Sequence, residues 1–182
     1  MQGPTHFAAG ILVQKAMRKV RPDPLRYSLV AFLAFLSHGL LDKLARCTYH
    51  PGKPLVQDWF WNSYHILIAV LTLLILVTYW RRYKLGLIFS VLPDLDWAVI
   101  HCCNFFSIQI PFWKEPILHK FVFNLLYLLF PPLKFLDSLP NWGLVRKAAI
   151  IECGLFAVLF VFIYLMGEDT KTPDTSQCED GG

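Results

Sequence analysis

Two acidic motifs interrupt stretches that are otherwise apolar enough to lie in a bilayer: Ser37-His38-Gly39-Leu40-Leu41-Asp42 and Leu92-Pro93-Asp94-Leu95-Asp96-Trp97. An ionised aspartate near the middle of a membrane helix costs about 2.5–3.5 kcal/mol on insertion scales. A chain carrying three of them must supply a compensating partner. Histidine beside carboxylate, with one pair four residues apart, points to a divalent metal as that partner.

The surroundings justify reading these segments as membrane helices. The chain has 182 residues, 55% of them hydrophobic and only 16% charged, where a soluble domain carries about 25% charged residues. Mean hydropathy is +0.46. The expected architecture is all-α: an integral membrane helix bundle with five or six spanning helices. Residues 1–166 form one multi-pass domain and 167–182 a disordered acidic tail. The net charge of +4 divides unevenly, because five acidic residues against Lys171 give the tail −4 and leave +8 on the rest. That excess fits orientation in a membrane and contact with anionic headgroups, and no nucleic-acid partner is expected. Five cysteines without CxxC spacing read as unpaired thiols. The N-terminus lacks a signal peptide's order of basic, apolar and small-residue stretches, so it is expected to stay in the mature protein.

Six helical segments are expected. Residues 64–80 and 148–166 are the clearest spans, and 28–45, 85–103 and 117–136 are apolar stretches broken by ionisable groups. Residues 4–19 can span, re-enter or lie along the interface. If all six cross, eleven basic residues, among them Lys15, Arg18, Arg82, Lys134, Arg146 and Lys147, fall on one side and six on the other. The positive-inside rule then makes the richer side cytoplasmic. His6, His38, Asp42, Asp94, Asp96 and His119 fall at a similar depth toward the opposite face. Glu152 is expected at the cytoplasmic end, snorkelling toward Arg146 and Lys147.

His38 and Asp42 share one helix face, a geometry that lets both bind one ion; the bland alternative is a local His–Asp hydrogen bond. Pro93 removes a backbone donor and leaves a carbonyl unpaired, so a broken helix can aim Asp94 and Asp96 at one site. The alternative there is that Asp94 merely caps a restarted helix. Gly10, one turn after His6, permits close helix approach. His119 follows Pro116 at a helix start, and His65 and His101 are weaker candidates.

These residues resemble the YdjM-like membrane-bound metal-dependent hydrolases. The resemblance rests on Thr5-His6 with Gly10, the Ser37-His38-xxx-Asp42 helix, Pro93-Asp94-Leu95-Asp96, Leu118-His119, and the loop Thr48-Tyr49-His50-Pro51-Gly52-Lys53-Pro54-Leu55, with the order of the two acidic motifs rearranged. It implies metal-assisted hydrolysis of a phosphoester or other lipid-linked ester at the membrane surface. His6, His38, Asp42, Asp94, Asp96 and His119 would hold a divalent metal (zinc first, manganese or iron otherwise). Asp96 would take the proton, and Arg46, His50 and Lys53 would meet the substrate. The expected location is the plasma (inner) membrane, with the site on the non-cytoplasmic side. The alternatives are a cation or proton carrier using intramembrane His and Asp, and a non-catalytic membrane protein.

Overall fold

The computed structural model describes residues 1–51 and 55–167. Lys53 and the acidic tail after Gly167 lie outside them. Among the described residues every regular element is helical: α1 (Gly3–Ala16), α2 (Asp23–Leu44), α3 (Trp59–Val91), α4 (Leu95–Phe105), α5 (Ile117–Leu129) and α6 (Ala149–Leu165), with short 3₁₀ turns between them. Three helical stretches are long and apolar enough to cross a membrane: Asp23–Cys47, Trp59–Phe105 and Arg146–Leu165. Their exposed surface is itself apolar. Ile66, Val70, Leu73 and Val77 on α3, and Val158, Val161 and Leu165 on α6, all face outward. A contiguous apolar exterior of this kind fits a lipid surround.

α3 is not one straight rod. Asp58 caps it, its carboxylate accepting from the Phe60 and Trp61 amides at 2.8 and 3.1 Å. These backbone hydrogen bonds, aided by Arg146, hold that carboxyl below its usual range. The helix then breaks at Tyr83 (φ −125°, ψ 24°). Contacts with α1 show what the break does. Gly3 meets Thr72 and Gln14 meets the Arg82 carbonyl, so the first limb runs with α1. Gln14 then accepts from the Gly86 amide, and Gly10 meets Gly86 and Ser90, so the second limb runs back along it. Thr72 and Gly86 would be about 21 Å apart on an unbroken helix, against about 10 Å between Gly3 and Gly10. The chain folds back at Tyr83.

α1 occupies the middle of this arrangement. Pro4 through Ile11 are buried without interruption, the signature of a helix surrounded on all sides rather than one lying on an interface. Phe7, Ala8 and Ile11 pack with Ile75, Tyr83 and Leu87 of α3 and Ile163 of α6. Small residues make the approach possible. A Cβ on Gly10 or Gly86 would run into the other's carbonyl oxygen, so the two backbones touch.

Two sequence expectations change. α5 has 13 residues, about 20 Å, short of a crossing. The chain after it also returns to the end it came from: Asp137 pairs with Lys43 at 2.7 Å, the Trp142 amide donates to the Arg46 carbonyl, and Arg146 pairs with Asp58 at 2.6 Å. Arg146 and Lys147 therefore join Lys43 and Arg46, which narrows the charge asymmetry. Glu152 follows them. Instead of snorkelling at the far end, it is buried and accepts from the Gln2 amide (2.6 Å), Thr5 Oγ1 (3.2 Å) and Tyr64 Oη (3.2 Å). It thereby satisfies amide and hydroxyl groups at the start of α1.

The glycine contact is directly testable. Gly86→Leu should destabilise the protein by about 1–3 kcal/mol or more, as overpacking does, and should lower its unfolding temperature in detergent. Gly154 has open space around its Cβ position, so Gly154→Ala should be neutral or slightly stabilising, by about 0.5–1 kcal/mol. Equal stability of Gly86→Leu and the parent would refute the backbone contact.

Candidate metal centre

The break that sequence reading placed at Pro93 builds one side of the centre. Pro93 offers no amide hydrogen, the backbone leaves helical geometry at Val91 (φ −119°, ψ 1°), and Leu92–Asp94 form a 3₁₀ turn. The Ser90 carbonyl at the end of the broken ladder lies 2.8 Å from His38 Nδ1. A carbonyl can only accept, so His38 Nδ1 carries the hydrogen. In the neutral ring its Nε2 is then the lone pair.

His119 is fixed by the same logic. Asp96 is fully buried. One of its oxygens accepts from Trp113 Nε1 at 2.9 Å, the other from the His119 amide at 2.9 Å and from His119 Nδ1 at 3.1 Å. The carboxylate thus satisfies an orphan amide in the first turn of α5 and places the ring hydrogen on Nδ1. In the neutral ring His119 Nε2 is likewise the lone pair.

These two nitrogens face each other at 3.3 Å. Asp42 Oδ2 lies 3.1 Å from His38 Nε2 and 3.3 Å from His119 Nε2. Asp94 Oδ1 lies 3.7 Å from each. Four possible ligand atoms from α2, the 3₁₀ turn and α5 thus converge. Ligands about 2.0–2.1 Å from a tetrahedral ion sit about 3.3 Å from one another, and the observed spacings of 3.1–3.7 Å bracket that edge. The residues fit a divalent cation. His38, His119 and Asp42 are largely enclosed, while the Asp94 side chain is 46% exposed and marks the open side.

His6 is adjacent. It is fully buried, its ring stacks on His38 with centres 4.1 Å apart and planes within 14°, and its Nε2 lies 3.2 Å from Asp42 Oδ1. Neither His6 nitrogen makes an aligned hydrogen bond. The Met1 ammonium also donates to Asp42 Oδ1, at 2.8 Å.

The remaining candidates sort plainly. Asp94 and Asp96 do not share one site: Asp94 faces the centre, and Asp96 stands behind His119 with both oxygens engaged, which removes it as ligand and as free base. His65 is held by the Trp61 carbonyl at 2.8 Å, and His101 lies beside Trp97, so neither substitutes for His119. His50 bonds to Gln2 Nε2 at 3.3 Å, and burial, followed by the N-terminal charge, pushes its pKa down. Arg46 is turned to the Leu139 carbonyl at 3.2 Å. Ser90, Trp113 and Glu152 were not expected to support the centre or its helices. The unpaired carbonyl near Pro93 was a signal for the first; the pattern around Trp113 held none.

No family model, curated protein or solved structure matches this chain, so the reading of the centre rests on its geometry. That geometry ranks two carboxylates. Asp96→Ala leaves three donors of His119 and Trp113 without their acceptor and should cost about 3–5 kcal/mol, as breaking a buried charged network does. Asp137→Ala removes an exposed pair with Lys43 and should cost at most about 1 kcal/mol. Unfolding curves in detergent should separate them, and similar losses would contradict the buried role of Asp96.

Proposed function

We propose that the protein is a membrane-embedded metal-dependent hydrolase, acting on a phosphoester or another lipid-linked ester at the membrane surface. One observation carries the reading: two histidine nitrogens 3.3 Å apart each have both carboxylates within 3.1–3.7 Å, while the ring hydrogens are held outward by Ser90 and Asp96. The resemblance of the His38/Asp42 and Pro93-Asp94-Leu95-Asp96 motifs to YdjM-like hydrolases, drawn from the same residues, points the same way.

A zinc, manganese or iron(II) ion held there would polarise a phosphoryl or carbonyl oxygen and lower the pKa of bound water toward neutrality. The residues do the rest. His38, His119 and Asp42 orient the centre from its enclosed side. Asp94 would ligate through Oδ1 and keep its second oxygen at the open side, where it can accept a proton. Asp96 keeps the His119 tautomer. Arg46, His50 and Lys53 share the loop after α2 and offer charge to an anionic substrate.

In this reading four limbs cross the bilayer: α2, the two limbs of the Trp59–Phe105 stretch, and α6. α1 and α5 are half-length helices held inside. With Arg146 and Lys147 at the site's own end, basic residues are nearly balanced between the two ends, so charge does not set which face of the plasma (inner) membrane the site takes. A cation or proton carrier would spread ionisable groups through the bundle. The position of Glu152 beside Thr5 and Tyr64, rather than at the far end, counts against it.

Metal analysis of the purified protein is the test. The parent should hold stoichiometric metal, and His38→Ala, His119→Ala and Asp94→Ala should each lose most of it. Asp96→Asn should retain the centre with affinity lower by about 10–100-fold. A metal-free parent that moves protons across liposomes would replace the hydrolase with the carrier.

A further inference from the structure

His6 is the group this mechanism leaves unused. It is a fully buried histidine with both nitrogens lacking an aligned partner, a state that a protein interior penalises unless something binds there. Its ring lies over His38 with centres 4.1 Å apart and planes within 14°. The geometry of that stack decides what can bind. An imidazole lone pair lies in the plane of its ring, so an ion ligated by Nε2 lies near that plane. Two nearly parallel, stacked planes share no such point. One ion therefore cannot be ligated well by both His6 and His38.

Asp42 bridges the two planes. Its Oδ1 faces His6 Nε2 at 3.2 Å and its Oδ2 faces His38 Nε2 at 3.1 Å. We propose that the centre holds two divalent cations bridged by the Asp42 carboxylate: one on His38, His119, Asp42 Oδ2 and Asp94, the second on His6 Nε2 and Asp42 Oδ1. This inference rests on the metal reading of the first position. The ring offset sets the ions about 4 Å apart, within the range of two-metal sites that clamp a phosphoryl group between ions (about 3.5–4 Å). The second ion has only two protein ligands among the described residues, so its other positions go to water and to substrate oxygens. The substrate class is accordingly a phosphoester, whose two non-bridging oxygens can meet one ion each, rather than a carboxylic ester with a single carbonyl oxygen. Asp42 Oδ1 already carries a positive neighbour in the Met1 ammonium. A cation arriving there must displace it, which makes the second position the weaker.

The experiment is manganese(II) loading of the full chain in detergent, after chelator stripping, with metal counting and electron paramagnetic resonance. The parent should bind a first ion and then, at higher manganese, a second. The six-line spectrum of an isolated ion should give way to that of an exchange-coupled pair. His6→Ala and His6→Asn should each bind one ion per chain and keep the six-line spectrum at all concentrations. A parent that saturates at one uncoupled ion overturns the bridged pair while leaving the first position standing. A parent that binds no manganese, zinc or iron overturns both.

Discussion

The Ser90 carbonyl and the Asp96 carboxylate accept hydrogen bonds from His38 Nδ1 and His119 Nδ1, and so turn both Nε2 lone pairs toward one point. The rest of the centre follows from that arrangement. Two lone pairs at 3.3 Å, joined by two carboxylates, repel one another, and a poorly solvated interior strengthens the repulsion. A positive charge at the shared point would relieve it. A metal ion would supply that charge in a form that several ligands can share. A proton can serve only one acceptor pair at a time.

Pro93 explains why the second acidic motif does two jobs. Residues two apart on a regular helix point roughly 160° away from each other, and a continuous helix through 90–96 would have kept the Ser90 carbonyl in its own ladder. The 3₁₀ turn Leu92–Asp94 releases that carbonyl and leaves Asp94 facing His38 and His119. Asp96, on the regular helix that follows, reaches the first turn of α5. One break thus supplies a ligand, the group that orients His38 and the group that orients His119.

Local spacing was legible in the sequence, and distant pairing was not. The His38/Asp42 interval and the break at Pro93 depend on neighbours within a turn, and both appear in the structure; Gly10 signals a close approach, but its partner Gly86 lies far away in sequence. The helical class was equally clear. The crossing count was less legible, because sorting charges by side assumes that every apolar segment crosses. Three helical stretches are long and apolar enough to do so and α5 is not among them, while Arg146 and Glu152 lie beside Asp58 and Tyr64. For α1 the sequence leaves three placements open, because Lys15, Arg18 and Lys19 give its C-terminal end the look of an interfacial helix. Lys15 instead turns inward to the Ile163 carbonyl at 2.8 Å. Trp113 reaches Asp96 across a loop whose sequence has no periodicity to read.

The centre and the fold also restrain each other. His6 reaches His38 because α1 is held at both ends, by Glu152 on its first residues and by Gln14 on the Tyr83 break, and because Gly10 and Gly86 let the backbones meet between them. None of these contacts touches the ion position, yet each sets where the His6 ring lies over His38. Helices inside a bilayer gain little from burying apolar side chains against one another, since lipid is equally apolar. Polar contacts and close backbone packing must therefore hold α1 in place. An ion bound at the centre would add to them by linking α2, the 3₁₀ turn and α5, and would then be part of what assembles the bundle.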